Sequence, residues 1–536
     1  MKDHSLIRSA GTVSAAVAGS RVTGMAREMV MARLFGAGEV YDAFLLGMRI
    51  PNLARNLFAE GALSAAFIPI FTQYLKTRSR NEAQRLSNIT ATALLITVGA
   101  VCAAGMLFAP QLVHLMAPGF ARVPGKVELA VLLTRIMFPF LVLIALAAQA
   151  MGLLNASDRY GIPATASIFF NIGSVGVGVA LARIWTANAI VCMAVGVLAG
   201  GVLQLAWQLP SVWKEGFAYQ PRLDVSDPGL RRISALMGPA FLGSAALQIN
   251  TIISTNFASR LTDASGHILN GPVSWLGYAF RFLQLPLGVF GVAIASATLP
   301  RIARSAAVQE VAEFRATLAH SIGMALLFTI PSSVGLAILG ESMIALIYQG
   351  GRFHAADTSQ TAAALACYSV GLAGYTLVKI LGPAFYALDD ARTPMLVSLS
   401  SIALNLGLSF ALVDWLSLGH RGLALSISLV ALLSAAALFE LLRRRIGGLE
   451  TPRIASGAAR IAVASALMGA ACEAVQRGLA LPHAANLAVS IPLGVGVFYA
   501  AARLLGVPEL EEVRAACYTA LRNAARPEVG DPPARN

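Results

Sequence analysis

The chain has 536 residues, of which 57% are hydrophobic and 12% charged, with a formal net charge of +13. Ordinary soluble domains carry roughly 25% charged residues, so this composition, with a mean hydropathy of +0.69, excludes a soluble multidomain protein. Apolar runs of about 20 residues recur from end to end without the alternation of a membrane β-barrel, which predicts an all-α polytopic membrane protein.

About fourteen helices are expected. They lie near 5–35, 38–75, 84–116, 127–156, 161–184, 187–209, 229–258, 271–299, 312–345, 358–388, 394–413, 420–444, 456–476 and 485–505. The first is expected to be a membrane helix rather than a cleaved leader, because Arg8, Arg21, Arg27 and Glu28 interrupt its apolar stretch. Several segments exceed what a bilayer needs and must tilt, bend or reach into water. Pro51, Pro69, Pro139, Pro286 and Pro331 are the expected kink sites.

Loop charge sets the orientation. The loops after even-numbered helices hold Lys76, Arg78, Arg80 and Arg85, then Arg159, then Lys214, Arg222, Arg231 and Arg232, and later Arg301, Arg304, Arg392 and Arg443 to Arg445. The odd loops are poorer. Even loops and both termini are therefore expected in the cytoplasm, and the net charge reflects this bias rather than nucleic-acid binding. The segment "RSAAVQEVAEFRATLAHS" after helix 8 is amphipathic and is expected on the cytoplasmic surface. From Pro508 the tail is polar, and from Arg526 it is Pro-rich and reads as disordered.

An internal repeat is present. "FAEGALSAAFIPIF" ends helix 2 and "VFGVAIASATLPRI" ends helix 8, with Pro69 and Pro300 231 residues apart. "ASDRYGIP" follows helix 4 and "ALDDARTP" follows helix 10, with Asp158 and Asp389, and Pro163 and Pro394, at the same offset of 231. Two parallel six-helix repeats followed by a C-terminal helix pair are predicted, an arrangement typical of alternating-access transporters.

An ionisable residue at membrane depth costs at least ~2.5 kcal/mol on insertion scales and is a functional hypothesis by default. Those found are Arg21, Arg27, Glu28 and Arg33 on helix 1, Asp42, Arg49, Arg55 and Glu60 on helix 2, Arg135 on helix 4, Arg281 on helix 8 and Lys379 on helix 10. Guanidinium offers a planar fork of donors and stays charged, so clustered arginines in a dry cavity suit a phosphorylated anion. Arg21, Arg55 and Arg281 are read as that site. Arg33 and Arg49 are read as snorkelling near helix ends. Arg27 with Glu28, and Arg49 with Asp42, are alternative structural pairs, and Glu60 stays open between helix capping, pairing and a substrate role.

Other signals are negative. The five cysteines lack metal or redox spacing, and "GVGVAL" at Gly176 lies inside an apolar helix, where Gly173, Gly176 and Gly178 are read as close-packing residues. No Walker motif occurs, so neither ATP hydrolysis nor a cofactor is expected. The driving force is then the membrane potential, a cation gradient or the substrate gradient.

"SRVTGMAREMVMARLFGAGEVYDAF" and "RIPNLARNLFAEGALSAAFIPIF" closely resemble the MurJ (MviN) family of lipid II flippases, within the multidrug/oligosaccharidyl-lipid/polysaccharide exporter superfamily. "SWLGYAFRFLQLPLGVFGVAIASATLPRIAR" and "LVKILGPAFYALDDARTP" are similar to two further signatures. The resemblance implies an N-lobe of helices 1–6 at 1–222, a C-lobe of helices 7–12 at 223–450, helices 13–14 at 451–507 forming a groove for a lipid tail, and a polar cytoplasmic tail at 508–536. It implies that Arg21, Arg27, Arg55 and Arg281 bind the diphosphate and head group of lipid II, with Glu28, Asp42 and Glu60 supporting or gating. The expected substrate is undecaprenyl-diphosphate-MurNAc-pentapeptide-GlcNAc in the bacterial cytoplasmic membrane. Membrane lipids and cell-wall synthesis or division proteins are the expected partners, and nucleic acid is not. "PNLARNLFAEGA" departs from the family in placing Asn56 where a second arginine is common, and Glu28 stands where Asp is common. Some members bind sodium. Asp389 and Asp390 do not complete a ligand set, so a metal site stays open and a loop-end charge pair is the preferred reading. The rival readings are a flippase for another undecaprenyl-diphosphate-linked oligosaccharide, a drug/cation antiporter of the same superfamily, and a membrane transferase. Arginines rather than carboxylates argue against the antiporter.

Overall fold

The computed structural model describes residues 2–55, 64–263, 265–479 and 481–515; within them the side chains at 2–15, 17, 54–55, 64–65 and 238–247 are not described. Among the described residues every regular element is helical, with only isolated bridges at Thr262–Ile268 and Gly350–Phe353. In chain order these are α1 (Lys2–Phe35), α2 (Glu39–Arg55), α3 (Ser64–Thr77), α4 (Arg80–Leu107), α5 (Ala109–Met116), α6 (Lys126–Met137), α7 (Phe140–Ala156), α8 (Gly161–Ile184), α9 (Ala189–Lys214) and α10 (Pro228–Arg260). They continue as α11 (Pro272–Pro286), α12 (Val292–Ala307), α13 (Val311–Tyr348), α14 (Ala355–Ser369), α15 (Leu372–Ala387), α16 (Arg392–Phe410), α17 (Gly419–Arg445), α18 (Thr451–Gly478) and α19 (His483–Leu504).

Ten helical runs among the described residues are long and apolar enough to cross a membrane, or eleven when α14 and α15, bent by 42° at their junction, count as one span. The expected spans near 5–35 and 229–258 are helical but fall outside that set, as do α2 and α3, the described parts of the span expected near 38–75. Helices α1 and α2 carry Arg21, Arg27, Glu28 and Arg33, and Glu39, Asp42 and Arg49, and these charges lower their hydropathy. Proline acts where it was expected in two cases. Pro139 separates α6 from α7, and Pro286 is followed by a π-helical turn over Leu287–Gly291. Pro331 instead lies within a continuous α13.

The chain divides into two compact units. The first holds residues 1–278, 347–361 and 398–426, and the second holds 279–346, 362–397 and 427–536. In the first, α8 packs along α9 and α1, α2 along α6, and α7 against α3, α4 and α9. In the second, one apolar core joins Ile302, Phe314, Leu318, Phe385, Leu442 and Ile461, and Leu510 and Val513, which follow α19, pack onto it. Residues 508–515 are helical, so the start of the polar tail is an ordered, docked element.

The repeat is visible as helix boundaries. The starts of α4 and α13, the ends of α7 and α15, the starts of α8 and α16, and the ends of α9 and α17 are each 231 residues apart. Turn chemistry repeats as well. Asp158 and Asp389 both take left-handed conformations, with φ of 58° and 56°. Aspartate tolerates this region because its short side chain bonds locally. The next amide in each turn donates five residues back, Arg159 to Leu154 O at 2.8 Å and Asp390 to Phe385 O at 2.9 Å. That is the Schellman closure of a helix C-terminus. The ends of α9 and α17 close alike, through Phe217 to Val212 O and Gly448 to Arg443 O. An arginine donates to the chain there in both halves, Arg80 to Glu215 O and Arg315 to Ile446 O.

One pair of ion pairs differs in sign between the halves. Arg159 meets Glu215 at 2.9 Å, whereas Asp390, its counterpart at the 231-residue offset, carries the opposite charge and meets Arg445, the counterpart of Lys214 rather than of Glu215. Asp390 also accepts from the Thr393 amide and hydroxyl at 3.0 and 2.7 Å, capping α16. Those bonds, with Arg445 beside them, hold its carboxyl below the usual aspartate range. This is the loop-end charge pair that the sequence favours over a metal ligand.

Close packing of α8 on α9 rests on glycine at both faces. A methyl group at Gly196 would lie 2.3 Å from Ser174 O and 2.9 Å from the Gly178 Cα, and one at Gly173 would lie 3.2 Å from the Gly200 Cα. Gly173 and Gly178 therefore have the packing role expected of them; Gly176 has nothing within 4 Å and does not.

Candidate substrate and gating site

Arg27 and Glu28 on α1 and Asp42 on α2 build two polar centres within the first unit. The first is built on α1. Arg27 donates to Glu28 Oε1 at 2.8 Å and to Asn171 Oδ1 on α8 at 3.2 Å, with its guanidinium 5.6 Å from the Phe170 ring centroid. Asn171 donates in turn to Ser20 O at 3.2 Å and Thr23 Oγ1 at 3.1 Å. It thus holds α8 against α1 and presents its carbonyl oxygen to Arg27. Glu28 is only 8% exposed and its Oε2 accepts from the Tyr41 hydroxyl at 3.0 Å. A buried carboxylate in apolar surroundings needs a charge partner and donors to stay ionised, and these contacts supply both.

The second centre is the carboxylate of Asp42, 1% exposed in the first turn of α2. Its Oδ2 accepts from Lys126 Nζ at 3.1 Å and from the Gly271 amide at 2.9 Å. Its Oδ1 accepts from the Ser274 amide at 2.9 Å and the Ser274 hydroxyl at 2.6 Å. Asp42 therefore caps the N-terminus of α11 from a different element, where the helix dipole also favours an anion. The turn that presents this amide requires glycine at 271. The φ of Gly271 is 112°, and a Cβ there would sit 2.8 Å from the Trp275 ring. Lys126 is 0% exposed; it also donates to Asn270 Oδ1 at 2.7 Å and lies 4.2 Å from the Phe120 ring centroid. A lysine in the first turn of a helix opposes the dipole of α6, so its place there follows from Asp42 rather than from helix preference.

The predicted residues fare differently. Arg27 and Glu28 come together, and Asp42 is buried in the adjoining centre. Arg21 is on α1 and exposed, and Arg281 is on α11, exposed, in the second unit. Arg55 ends α2 with its side chain outside the description, and Glu60 lies outside the described residues. Arg49 differs from one expectation: it does not pair with Asp42, which takes Lys126 instead. Its guanidinium bonds Thr255 Oγ1 on α10 at 2.5 Å, and Thr255 is 0% exposed. Lys126 was missed because it sits one residue before the apolar run at 127–156 and reads as a loop charge. The only hint was its place after "VPG", where a chain turns into a helix. Asn171 was missed because a single amide in "SIFFNIGS" is weak in sequence. Among the described residues no group of three or more His, Cys, Asp and Glu is placed to hold a metal ion.

Comparison with known proteins agrees with this architecture. A family profile described as "Lipid II flippase MurJ" matches residues 31–480. The lipid II flippase MurJ of Burkholderia cenocepacia is 34% identical over 444 residues, covering 82% of this chain and 84% of the relative. The probable lipid II flippase MurJ of Vibrio cholerae is 33% identical over 526 residues, covering 95% of this chain and 98% of the relative. Among solved structures, a lipid II flippase MurJ in an inward closed conformation matches with a TM-score of 0.75 at 23% identity, covering 92% of this chain and 98% of its own. An inward-facing multidrug resistance MATE family transporter of the MOP superfamily matches with a TM-score of 0.64 at 16% identity, covering 82% and 95%. At these identities the two structures establish a shared fold.

Proposed function

The chain belongs to the lipid II flippase MurJ family, a family of multi-pass membrane transporters and not of enzymes, and from that premise we propose that it moves lipid II from the inner to the outer leaflet of the cytoplasmic membrane for peptidoglycan synthesis. The observation that carries the site assignment is the Arg27 centre. A guanidinium 19% exposed, oriented by Asn171 and balanced by Glu28, stands in an apolar bundle. Such a group is charged at every physiological pH and presents a fork of donors to a diphosphate. Arg21, Arg55 and Arg281 complete the diphosphate and head-group contacts in this reading, Asp42 serves as a gating residue, and Glu28 and Glu60 support. Arg21 and Arg27 precede the residues matched by the family profile, so their roles rest on their chemistry and on the motif around them.

In the same reading the lobes are 1–222 and 223–450, and 451–507 forms the lipid-tail groove. Both termini are cytoplasmic, as the basic even loops favour. Alternating access exchanges the exposure of the arginine centre between the two faces, driven by the membrane potential or a cation gradient. Cell-wall synthesis or division proteins are the protein partners.

The test is the leaflet distribution of lipid II in cells depleted of this protein, read with an impermeant enzyme that cleaves lipid II from outside. Lipid II is expected to accumulate in protected form. Full cleavage in depleted cells with no other flippase present refutes the assignment and leaves transport of another lipid-linked sugar.

A further inference from the structure

The arginine centre and the Asp42 centre are joined by one side chain. Tyr41 is 1% exposed, and its hydroxyl donates to Glu28 Oε2 at 3.0 Å. The next residue along α2 is Asp42, whose carboxylate holds the N-terminus of α11. The Tyr41 ring stacks on Tyr278, with centroids 5.0 Å and planes 15° apart. Tyr278 lies four residues, one helical turn, after Ser274 on α11. It contacts the rings of Tyr348 and Phe353 and donates to Gly36 O at 3.3 Å. So α2 and α11 meet twice, through Asp42 with Ser274 and through Tyr41 with Tyr278. The second junction is hydrogen-bonded to the carboxylate that balances Arg27. Packing alone does not ask for a hydroxyl at Tyr41, since a phenylalanine ring would stack as well.

We propose that Tyr41 is a positioning residue that couples occupancy of the arginine centre to release of the Asp42 junction. The proposal rests on the reading of Arg27 as a diphosphate contact. Phosphate oxygens that engage Arg27 compete with Glu28 for its N–H groups. Glu28 then draws more strongly on the Tyr41 hydroxyl, because a buried carboxylate that loses part of its charge compensation strengthens its other hydrogen bonds. That pull acts on the residue next to Asp42 and on the ring stacked against α11. Packed junctions have discrete arrangements rather than continuous give, so the shift tips the Asp42 cap between closed and released.

The experiment uses the full-length protein in lipid vesicles with lipid II as substrate, measuring half-saturating concentration and maximal flipping rate separately. Tyr41→Phe keeps the ring and its stack. It is expected to leave half-saturation unchanged and to slow maximal flipping about tenfold, the effect of losing one hydrogen bond to a charged group. Glu28→Asp, which draws the carboxylate back by about 1.5 Å, serves if Tyr41→Phe folds poorly and is expected to slow maximal flipping as well; a wild-type maximal rate in Glu28→Asp overturns the coupling, and its half-saturation is not used because Glu28 also pairs with Arg27. Adding Glu28→Gln to Tyr41→Phe is expected to slow flipping no further than Glu28→Gln alone, because both act through one bond. Wild-type flipping by Tyr41→Phe, or losses that multiply in the double variant, overturns the coupling. Absence of lipid II flipping by the wild-type protein overturns the functional reading beneath it as well, which separates the two failures.

Discussion

Replacing Lys126 with methionine tests the logic of the Asp42 centre. The pair is fully buried, with exposures of 0% and 1%, so water cannot take over the role of either partner. In Lys126→Met, Asp42 keeps the Gly271 amide and both Ser274 donors but loses its only observed cation, and Asn270 Oδ1 loses its observed donor. Breaking a buried pair from one side leaves an uncompensated charge and costs about 3–5 kcal/mol. For a protein of 536 residues that corresponds to a fall in melting temperature of roughly 3–4 °C. Asp42→Asn is expected to cost a similar amount, because Lys126 then faces only Asn270 and the Phe120 ring. The double variant Asp42→Asn/Lys126→Met removes both charges and is expected to recover most of the loss, since replacing a whole buried pair is often neutral. The assay is thermal unfolding of the four proteins in detergent, arranged as a double-mutant cycle. A melting temperature unchanged in Lys126→Met, or a double variant whose loss equals the sum of the two singles, refutes the argument that Asp42 and Lys126 compensate each other.

Three further outcomes are expected. Arg21→Ala, Arg55→Ala, Arg27→Ala or Arg281→Ala as sole copy should abolish growth while the protein still inserts at normal level, and normal growth on any one of them removes that residue from the site. Gly196→Ala should lower the yield of monodisperse protein, because its methyl meets Ser174 O at 2.3 Å and overpacking costs about 1–3 kcal/mol, while Gly176→Ala, with open space around it, should behave as wild type. Asp390 has a depressed folded-state pKa, so its cap stabilises fully above the unfolded aspartate value near about 3.9 and is lost as pH falls through the lower folded value. Wild type should therefore lose part of its margin over Asp390→Asn only in strongly acidic buffer. Equal melting temperatures of the two proteins at neutral pH would show that the cap contributes nothing.

Much of the architecture is legible in the chain because its cause is local. Membrane insertion needs about 20 apolar residues in a row, and the runs that meet this are written in the composition. The 231-residue repeat is legible for the same reason. Asp158 and Asp389 sit in turns whose backbone bonds span five residues, so the shared Ala, Asp and Pro positions of the two segments fold to the same local geometry. Arg27 and Glu28 are neighbours in sequence, and their pairing needed no knowledge of the fold.

What the tertiary structure alone decided is which distant group each charge meets. Asp42 and Lys126 are 84 residues apart, and Asp42 and Ser274 are 232 apart. From sequence, Asp42 had a candidate partner seven residues away in Arg49, and about 10 Å of helix already separated them. The fold turned Arg49 toward Thr255 and brought a lysine from the edge of another helix instead. A buried carboxylate must find a cation and donors somewhere. The sequence states that requirement at position 42, but only the packing of α2, α6 and α11 selects the residues that meet it.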